Sequence, residues 1–126
     1  MLKMLNNPAL PAPMGYSHAV EATGTQKMLF VSGQVGVRAD GSVPDSVGEQ
    51  AKIAVANVNA MLAQAGMENT DIAKVTIYLT DEAHLGEFMA AAGGTLPSPP
   101  PATTLLIVKA LAAPNLFVEI EAIAVK

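Results

Sequence analysis

Residues 46 to 66 read SVGEQAKIAVANVNAMLAQAG. Ser46 and Glu49 stand at capping-box spacing, in which a hydroxyl meets the amide three residues on and a carboxylate reaches back. Apolar residues recur at Val47, Ala51, Ala54, Val58, Met61, Leu62 and Ala65, the stripe that an α-helix turns toward a core. Gly66 follows where a left-handed C-terminal cap is expected. The next apolar segment has a different period. In Ile72 to Leu79, Val75, Ile77 and Leu79 fall on one face and Thr76 and Tyr78 on the other, the pattern of a half-buried strand. A striped helix beside a one-sided strand points to helices packed on a sheet.

Working outward, Thr80 or Asp81 can cap a second, shorter helix that reaches about Ala92 and is stopped by Gly93-Gly94. Leu96 to Pro101 holds four prolines, which excludes a helix or a central strand. Two more strands follow, Thr103 to Val108 and Leu116 to Ala124, joined by a turn containing Pro114. Upstream, Asn6 to Gly15 holds three prolines and is expected to be extended and irregular. His18 to Ala22, a turn at Gly24 to Lys27, and Met28 to Val31 running into Ser32-Gly33-Gln34 read as a hairpin whose second strand is buried on both faces. Ala39 to Pro44 is a polar turn. The order is ββαβαββ, an α+β class with a mixed sheet and two helices on one face. The other face then needs a cover.

Composition supports that expectation. The 126 residues amount to one domain, 1–126, with no internal repeat or linker. Hydrophobic residues make up 51% and charged residues 14%, against a typical charged share of about 25%. So few charges imply that some apolar surface is buried against further copies of the chain. Net charge is −4 and Arg38 is the only arginine, so nucleic acid is not an expected partner, because phosphate backbones are gripped by clustered cations. No cysteine is present, which removes disulfides, thiolate chemistry and thiolate metal sites. No apolar run reaches the ~18 residues of a membrane span, and Met1 to Pro13 lacks a signal-peptide core. The expected setting is cytoplasmic, away from membranes.

Among chemical motifs, G-x-S-x-G, the Walker loop, G-x-G-x-x-G and H-E-x-x-H are all missing. His18 and His84 lie on different elements without ligand spacing and read as polar surface or edge residues, so no structural metal site is expected. Ser32 ends an apolar strand and precedes Gly33, which lets another group approach the backbone closely; a hydroxyl bonded within the sheet is the alternative reading of Ser32. In the last strand Val118, Ile120, Ala122 and Ala124 share one face, and Glu119 and Glu121 share the other with Phe117 and Ile123. A glutamate in such a strand lies either at a solvated edge or in a pocket where burial raises its pKa toward general-base range.

Several fragments, in order and at matching spacing, resemble the Rid (YjgF-like, reactive intermediate deaminase) family over nearly the whole chain. Asn7-Pro8-Ala9 and Gly15-Tyr16-Ser17-His18-Ala19 look like its N-terminal segment, and Phe30-Val31-Ser32-Gly33-Gln34 its strand ending in S-G-Q. Glu49-Gln50, Asn57 and Leu62 to Gly66 look like its central helix; Val75 to Asp81 and Val118 to Ala124 are similar to later strands. The resemblance implies a chorismate-mutase-like fold and a homotrimer with ligand clefts between subunits. It also implies hydrolysis of reactive enamines or imines, such as 2-aminoacrylate, to a 2-keto acid and ammonia without a cofactor. By motif, Tyr16 and Ser32 would line the cleft, Glu119 would activate water, and the main chain at Gly33 and Leu105 would supply hydrogen bonds.

Two positions depart from the family pattern. Where the family has Pro-Ala-Arg followed by Ser or Thr, this chain reads Pro101-Ala102-Thr103-Thr104. Thr103 thus replaces the arginine that would clamp a substrate carboxylate, and a hydroxyl offers one neutral bond in place of a charged fork. Met89 falls near the family's second-helix asparagine. Lys109 lies six residues beyond Thr103, roughly 20 Å at strand rise, too far to substitute; Arg38, in the loop after S-G-Q, is the candidate cation from a neighbouring subunit, the alternative being a solvated loop arginine. The implied function is an enamine or imine deaminase with altered substrate range. The alternative is a non-catalytic trimer that binds a small ligand or a protein. RNA cleavage conflicts with the acidic balance and the absence of a His or Lys cluster.

Overall fold

The computed structural model describes residues 1–95 and 97–126; Leu96, which opens the proline-rich stretch, lies outside the described residues. The strands are β1 (Leu2–Leu5), β2 (Ala19–Ala22), β3 (Met28–Val35), β4 (Ile72–Leu79), β5 (Ala102–Ile107) and β6 (Val118–Val125), and the helices are α1 (Val47–Gln64) and α2 (Leu85–Ala92). β1 and β2 form a two-stranded antiparallel ribbon, and the other four strands form a sheet in the order β3-β6-β4-β5. β4 and β5 are parallel while β6 is antiparallel to both of its neighbours, so the sheet is mixed. A parallel pair needs a crossover, and α2 provides it.

Both helices lie on one face. Val47, Ala51, Ala54, Val58 and Leu62 of α1 and Phe88 and Ala92 of α2 pack on Val75, Ile77, Leu79, Val118, Ile120, Ala122 and Ala124 of the strands. Met61, placed on the same stripe by its spacing, is 39% exposed at its edge. Ser46 caps α1 by accepting from the Glu49 amide at 3.1 Å. Glu49 itself pairs with Lys52, and the Gly48 amide is met at 2.6 Å by Glu87 of α2. The second helix thus contributes to capping the first. Asp81 accepts from the Ala83 amide and opens a short 3-10 turn that leads into α2.

One expected pairing is not formed. β2 and β3 are not a hairpin: β2 pairs with β1, and β3 pairs along its length with β6. Ala19-Val20-Glu21-Ala22 has little apolar surface to bury, whereas β6 offers an alternating row that matches β3. The β3–β6 pair extends at its end through Gln26 and Lys27, whose amides donate to the Lys126 carbonyl. Nor is β3 buried on both faces. Val31 is 6% exposed, but Met28 and Phe30 are 57% and 68% exposed on the face without helices.

The junction between sheet and α1 turns on Gln50, which is fully buried. Its Nε2 donates to the carbonyls of Pro44 and Asn115 at 2.9 Å each, and its Oε1 accepts from the Phe117 amide at 2.8 Å. Three loop and strand groups that would otherwise be orphaned are satisfied by one side chain. Gly36 closes the contact from the other side, since a Cβ there would stand 2.4 Å from that of Gln50. Gln50→Leu keeps the volume and abandons all three partners. It is expected to lower unfolding stability by about 3 kcal/mol or more, given ~1–3 kcal/mol for each buried group left unpaired. Urea denaturation measures this; a loss below about 1 kcal/mol would show that water replaces the amide.

Candidate functional site

The candidate residues gather at two places. The first is a cavity of about 240 Å³ at the β5 edge, between the helix-covered face of the sheet and the two helices. Thr103 and Leu105 of β5 form part of its wall, and their ladder partners Val75 and Ile77 belong to the core face. Met89 contributes from α2 and Tyr16 from the N-terminal segment. Tyr16 is fixed in place by its neighbours. Gly15 turns the chain at φ +76°, a conformation that costs glycine little. Ser17, 2% exposed, then donates its amide to the Pro101 carbonyl at 3.1 Å and its hydroxyl to the Pro100 carbonyl at 2.6 Å. The segment is thereby stapled beside the start of β5.

His18 accepts from the Asn7 amide at Nδ1. Its Nε2 lies 2.9 Å from the Pro11 carbonyl and, in that tautomer, donates to it. The ring therefore clamps the N-terminal loop. His84 lies against the ring of Phe117, centroids 5.2 Å apart. Thr103, in the arginine position of the motif, donates its hydroxyl to the Pro101 carbonyl at 3.1 Å. No charged side chain is among the cavity's described lining residues.

The second place is the uncovered face, on the other side of the sheet. Between Val31 and Gln34 the β3–β6 register slips by one residue, so Ser32 and Gly33 form a bulge, the usual means of re-aiming a strand. Glu119 lies beside this bulge, with its carboxylate directly over Gly33. A Cβ on residue 33 would come 1.8 Å from Glu119 Oε2, so only glycine permits the side chain to lie there. Ser32 is exposed and Glu119 half-buried.

The sheet separates these two groups. Glu119 belongs to the odd-numbered row of β6 that faces away from the helices, while Thr103 and Leu105 face toward them on the far edge strand. Within one chain Ser32, Gly33 and Glu119 do not meet Tyr16, Met89, Thr103 and Leu105. Arg38 is on neither wall: its guanidinium donates to Ser42 Oγ at 3.2 Å in its own loop. Asp40 of that loop is held below the usual carboxylate range, first by hydrogen bonds from Ser42 and to a lesser degree by the charge of Arg38.

Sequence reasoning did not anticipate the polar cluster beside Glu119. Tyr78 donates its hydroxyl to Glu121 Oε1 at 2.5 Å, and Lys74 donates to Thr104 Oγ1 at 2.7 Å. The alternation put Tyr78 and Glu121 on outward faces, but only the β4–β6 register makes them neighbours. The hydrogen bond to Glu121 raises the Tyr78 pKa above its ordinary value of 10.0, with burial and the charges of Glu121 and Glu119 adding to it.

A chain of this architecture, with two helices on one face of a mixed sheet, falls in the chorismate-mutase-like α+β class. The family model for Endoribonuclease L-PSP matches residues 6–126, and the chain belongs to that family, the Rid or YjgF proteins. A RutC family protein of Aquifex aeolicus is 40% identical over 82 residues, 64% of this chain and 63% of that protein, so the chain matches less than two thirds of that relative's length. The fission-yeast mitochondrial protein mmf1 is 30% identical over 124 residues, 97% of this chain and 75% of the relative. Escherichia coli TdcF, whose name assigns it provisionally to the reactive intermediate deaminases, is 33% identical over 82 residues, 64% of this chain and 62% of its own. The crystal structure of the Yersinia pestis Rid-family protein YyfB superposes with TM-score 0.87 at 29% identity, covering 99% of this chain and 98% of the other. Among the described residues no helix is long and apolar enough to cross a membrane.

The Tyr78–Glu121 bond has a measurable consequence. A raised phenol pKa means that the folded state favours the neutral ring. The contribution to stability is complete below the unfolded value near 10 and is lost as pH rises through the folded one. In a Tyr16→Phe background, absorbance titration should show the remaining tyrosine ionising above its ordinary value, and Glu121→Gln should bring it down. An unchanged midpoint in Glu121→Gln would mean that the bond is not made in solution.

Proposed function

We propose that the protein is a hydrolytic deaminase of reactive enamine or imine intermediates, working as a homotrimer with each site between two chains. The observation that carries this reading is the division of the candidate residues between opposite faces of the sheet. Tyr16, Met89, Thr103 and Leu105 surround an open cavity at one edge, and Ser32, Gly33 and Glu119 occupy the uncovered face near the other. Edge-to-edge packing would bring the second group of one chain to the mouth of the first group of the next. The apolar side chains of Met28 and Phe30 on that uncovered face favour such packing. TdcF, related over 64% of this chain, carries a deaminase name.

In this reading Glu119, lying over Gly33, holds a water and takes its proton as the oxygen adds to the C=N carbon. The proton passes to nitrogen, the C–N bond of the resulting carbinolamine breaks, and ammonia leaves as the carbonyl forms; an enamine first accepts a proton on carbon to become the imine. The amide of Gly33 and the main chain at Leu105 orient the reacting group, and Ser32 and Tyr16 line the cleft. The reaction as written needs water and a proton carrier, and no cofactor. Thr103 alters the substrate range, because its hydroxyl is already committed to Pro101 and brings no charge to a carboxylate. Arg38 of a neighbouring chain is the one arginine that could replace it, on leaving Ser42. A net charge of −4 and a single arginine argue against an RNA substrate.

The second reading, a non-catalytic trimeric binding module, is favoured by the absence of charge from the described cavity lining. Coupled turnover separates the two. Glu119→Gln should cut the rate of imine hydrolysis by at least about 100-fold, the usual share of a general base, while leaving the mass of the assembly unchanged. Wild-type turnover no faster than the protein-free control would leave only the binding module. Thr103→Arg should raise turnover of 2-aminoacrylate by about 30-fold or more, since a charge-assisted anchor is worth roughly 2–5 kcal/mol. A monomer in light scattering would remove the shared site altogether.

A further inference from the structure

The cavity behind Thr103 is more apolar than the anchoring of an acid would require. Its floor is core: Val58 of α1, Val75 and Ile77 of β4 and Ile120 of β6 all line it. Two threonines on its wall have their hydroxyls engaged by the main chain, Thr103 with the Pro101 carbonyl and Thr95 with the Ala92 carbonyl at 2.6 Å. None of the seven lysines and arginines of the chain is among its described lining residues. Those nearest in sequence to its walls are engaged elsewhere or lie apart: Lys74 bonds Thr104 on the opposite face, Lys52 pairs with Glu49, and Lys109 is exposed beyond the end of β5. A carboxylate placed here would lose its hydration and gain no counter-charge from the residues of its own chain that line the cavity, a large penalty.

The size is also informative. An apolar cavity of about 150 Å³ takes up benzene, and this one is about 240 Å³ and open at one side. It therefore has room for a phenyl ring or branched chain together with the carbon that bears it. Tyr16, 37% exposed, and the amide side chains of Asn59 and Asn69 supply polar but uncharged groups on the lining.

We infer that this site takes as its ligand an imine whose carbon bears an uncharged, apolar group of about phenyl size, seated behind Thr103 and Leu105, and not the imine of a 2-keto acid. This rests on the deaminase reading for the reaction, and on the cavity alone for the preference. Acetophenone and benzoylformate, the carbonyl products that would follow from the two kinds of imine, share a phenyl ketone and differ in a methyl group against a carboxylate.

Titration of the purified full-length protein with each, by calorimetry and by amide NMR, is expected to show acetophenone bound at least tenfold more tightly. The amides of Ala92, Thr103 and Leu105 should shift. Thr103→Arg is expected to reverse the preference; should that variant misfold, the wild-type ratio still stands as the test. Equal or tighter binding of benzoylformate, no binding of acetophenone, or shifts confined to other residues would overturn the inference. If acetophenone fails to bind while 2-aminoacrylate is hydrolysed with dependence on Glu119, the cavity preference falls and the deaminase reading stands. If acetophenone binds at these residues but no imine is hydrolysed, the preference stands and the deaminase reading falls.

Discussion

The pleat of β6 governs the rest of the molecule. Successive side chains of a strand point to opposite faces, and β6 lies between β3 and β4 with helices on only one side. Val118, Ile120, Ala122 and Ala124 are therefore committed to the core, and Glu119 and Glu121 are as firmly committed to the uncovered face. No rotamer carries a carboxylate through the sheet. The same alternation in β5, transmitted through its parallel register with β4, puts Thr103 and Leu105 on the helix side. The distance between the two groups of candidate residues follows from strand parity.

Two local devices act on that frame. The bulge at Ser32 and Gly33 adds one residue to β3 opposite β6 and removes a side chain where Glu119 lies. The engagement of Ser17 with Pro100 and Pro101 brings an otherwise irregular N-terminal segment against β5, and Tyr16 with it. In both cases backbone hydrogen bonding and the absence of a Cβ aim the side chains. The placement of the candidate residues therefore depends on neighbours that carry no reactive group themselves.

The uncovered face combines apolar exposure with polar groups already hydrogen-bonded to one another. Phe30 shares a shallow depression with Lys74, Thr76 and Glu121, and Glu121 is already joined to Tyr78 by a hydrogen bond. Satisfying a hydroxyl and a carboxylate against one another lowers the cost of covering such a face. A trimer of the proposed kind would exploit this, with polar pairs made inside each chain and apolar contacts made between chains.

Local pattern carried α1, β4, α2 and β6 into the structure almost as read, because a stripe or an alternation is written in neighbouring residues and holds wherever the segment packs. The parity of Glu119 and the commitment of Gly33 to a close approach were legible for the same reason. Strand partners were not. That β3 prefers β6 over β2, that Leu2–Leu5 forms a strand, and that Gln50 joins the loop before α1 to the turn and the residue that lead into β6 depend on contacts between residues far apart in sequence. The cavity behind Thr103 belongs with these: its floor is core and its rim is formed by Tyr16, Met89 and Thr103, residues of separate segments that only the fold brings together. By itself the sequence determined which faces are apolar; tertiary packing decided which faces meet, since pairing energy is shared between distant segments and no one of them encodes it.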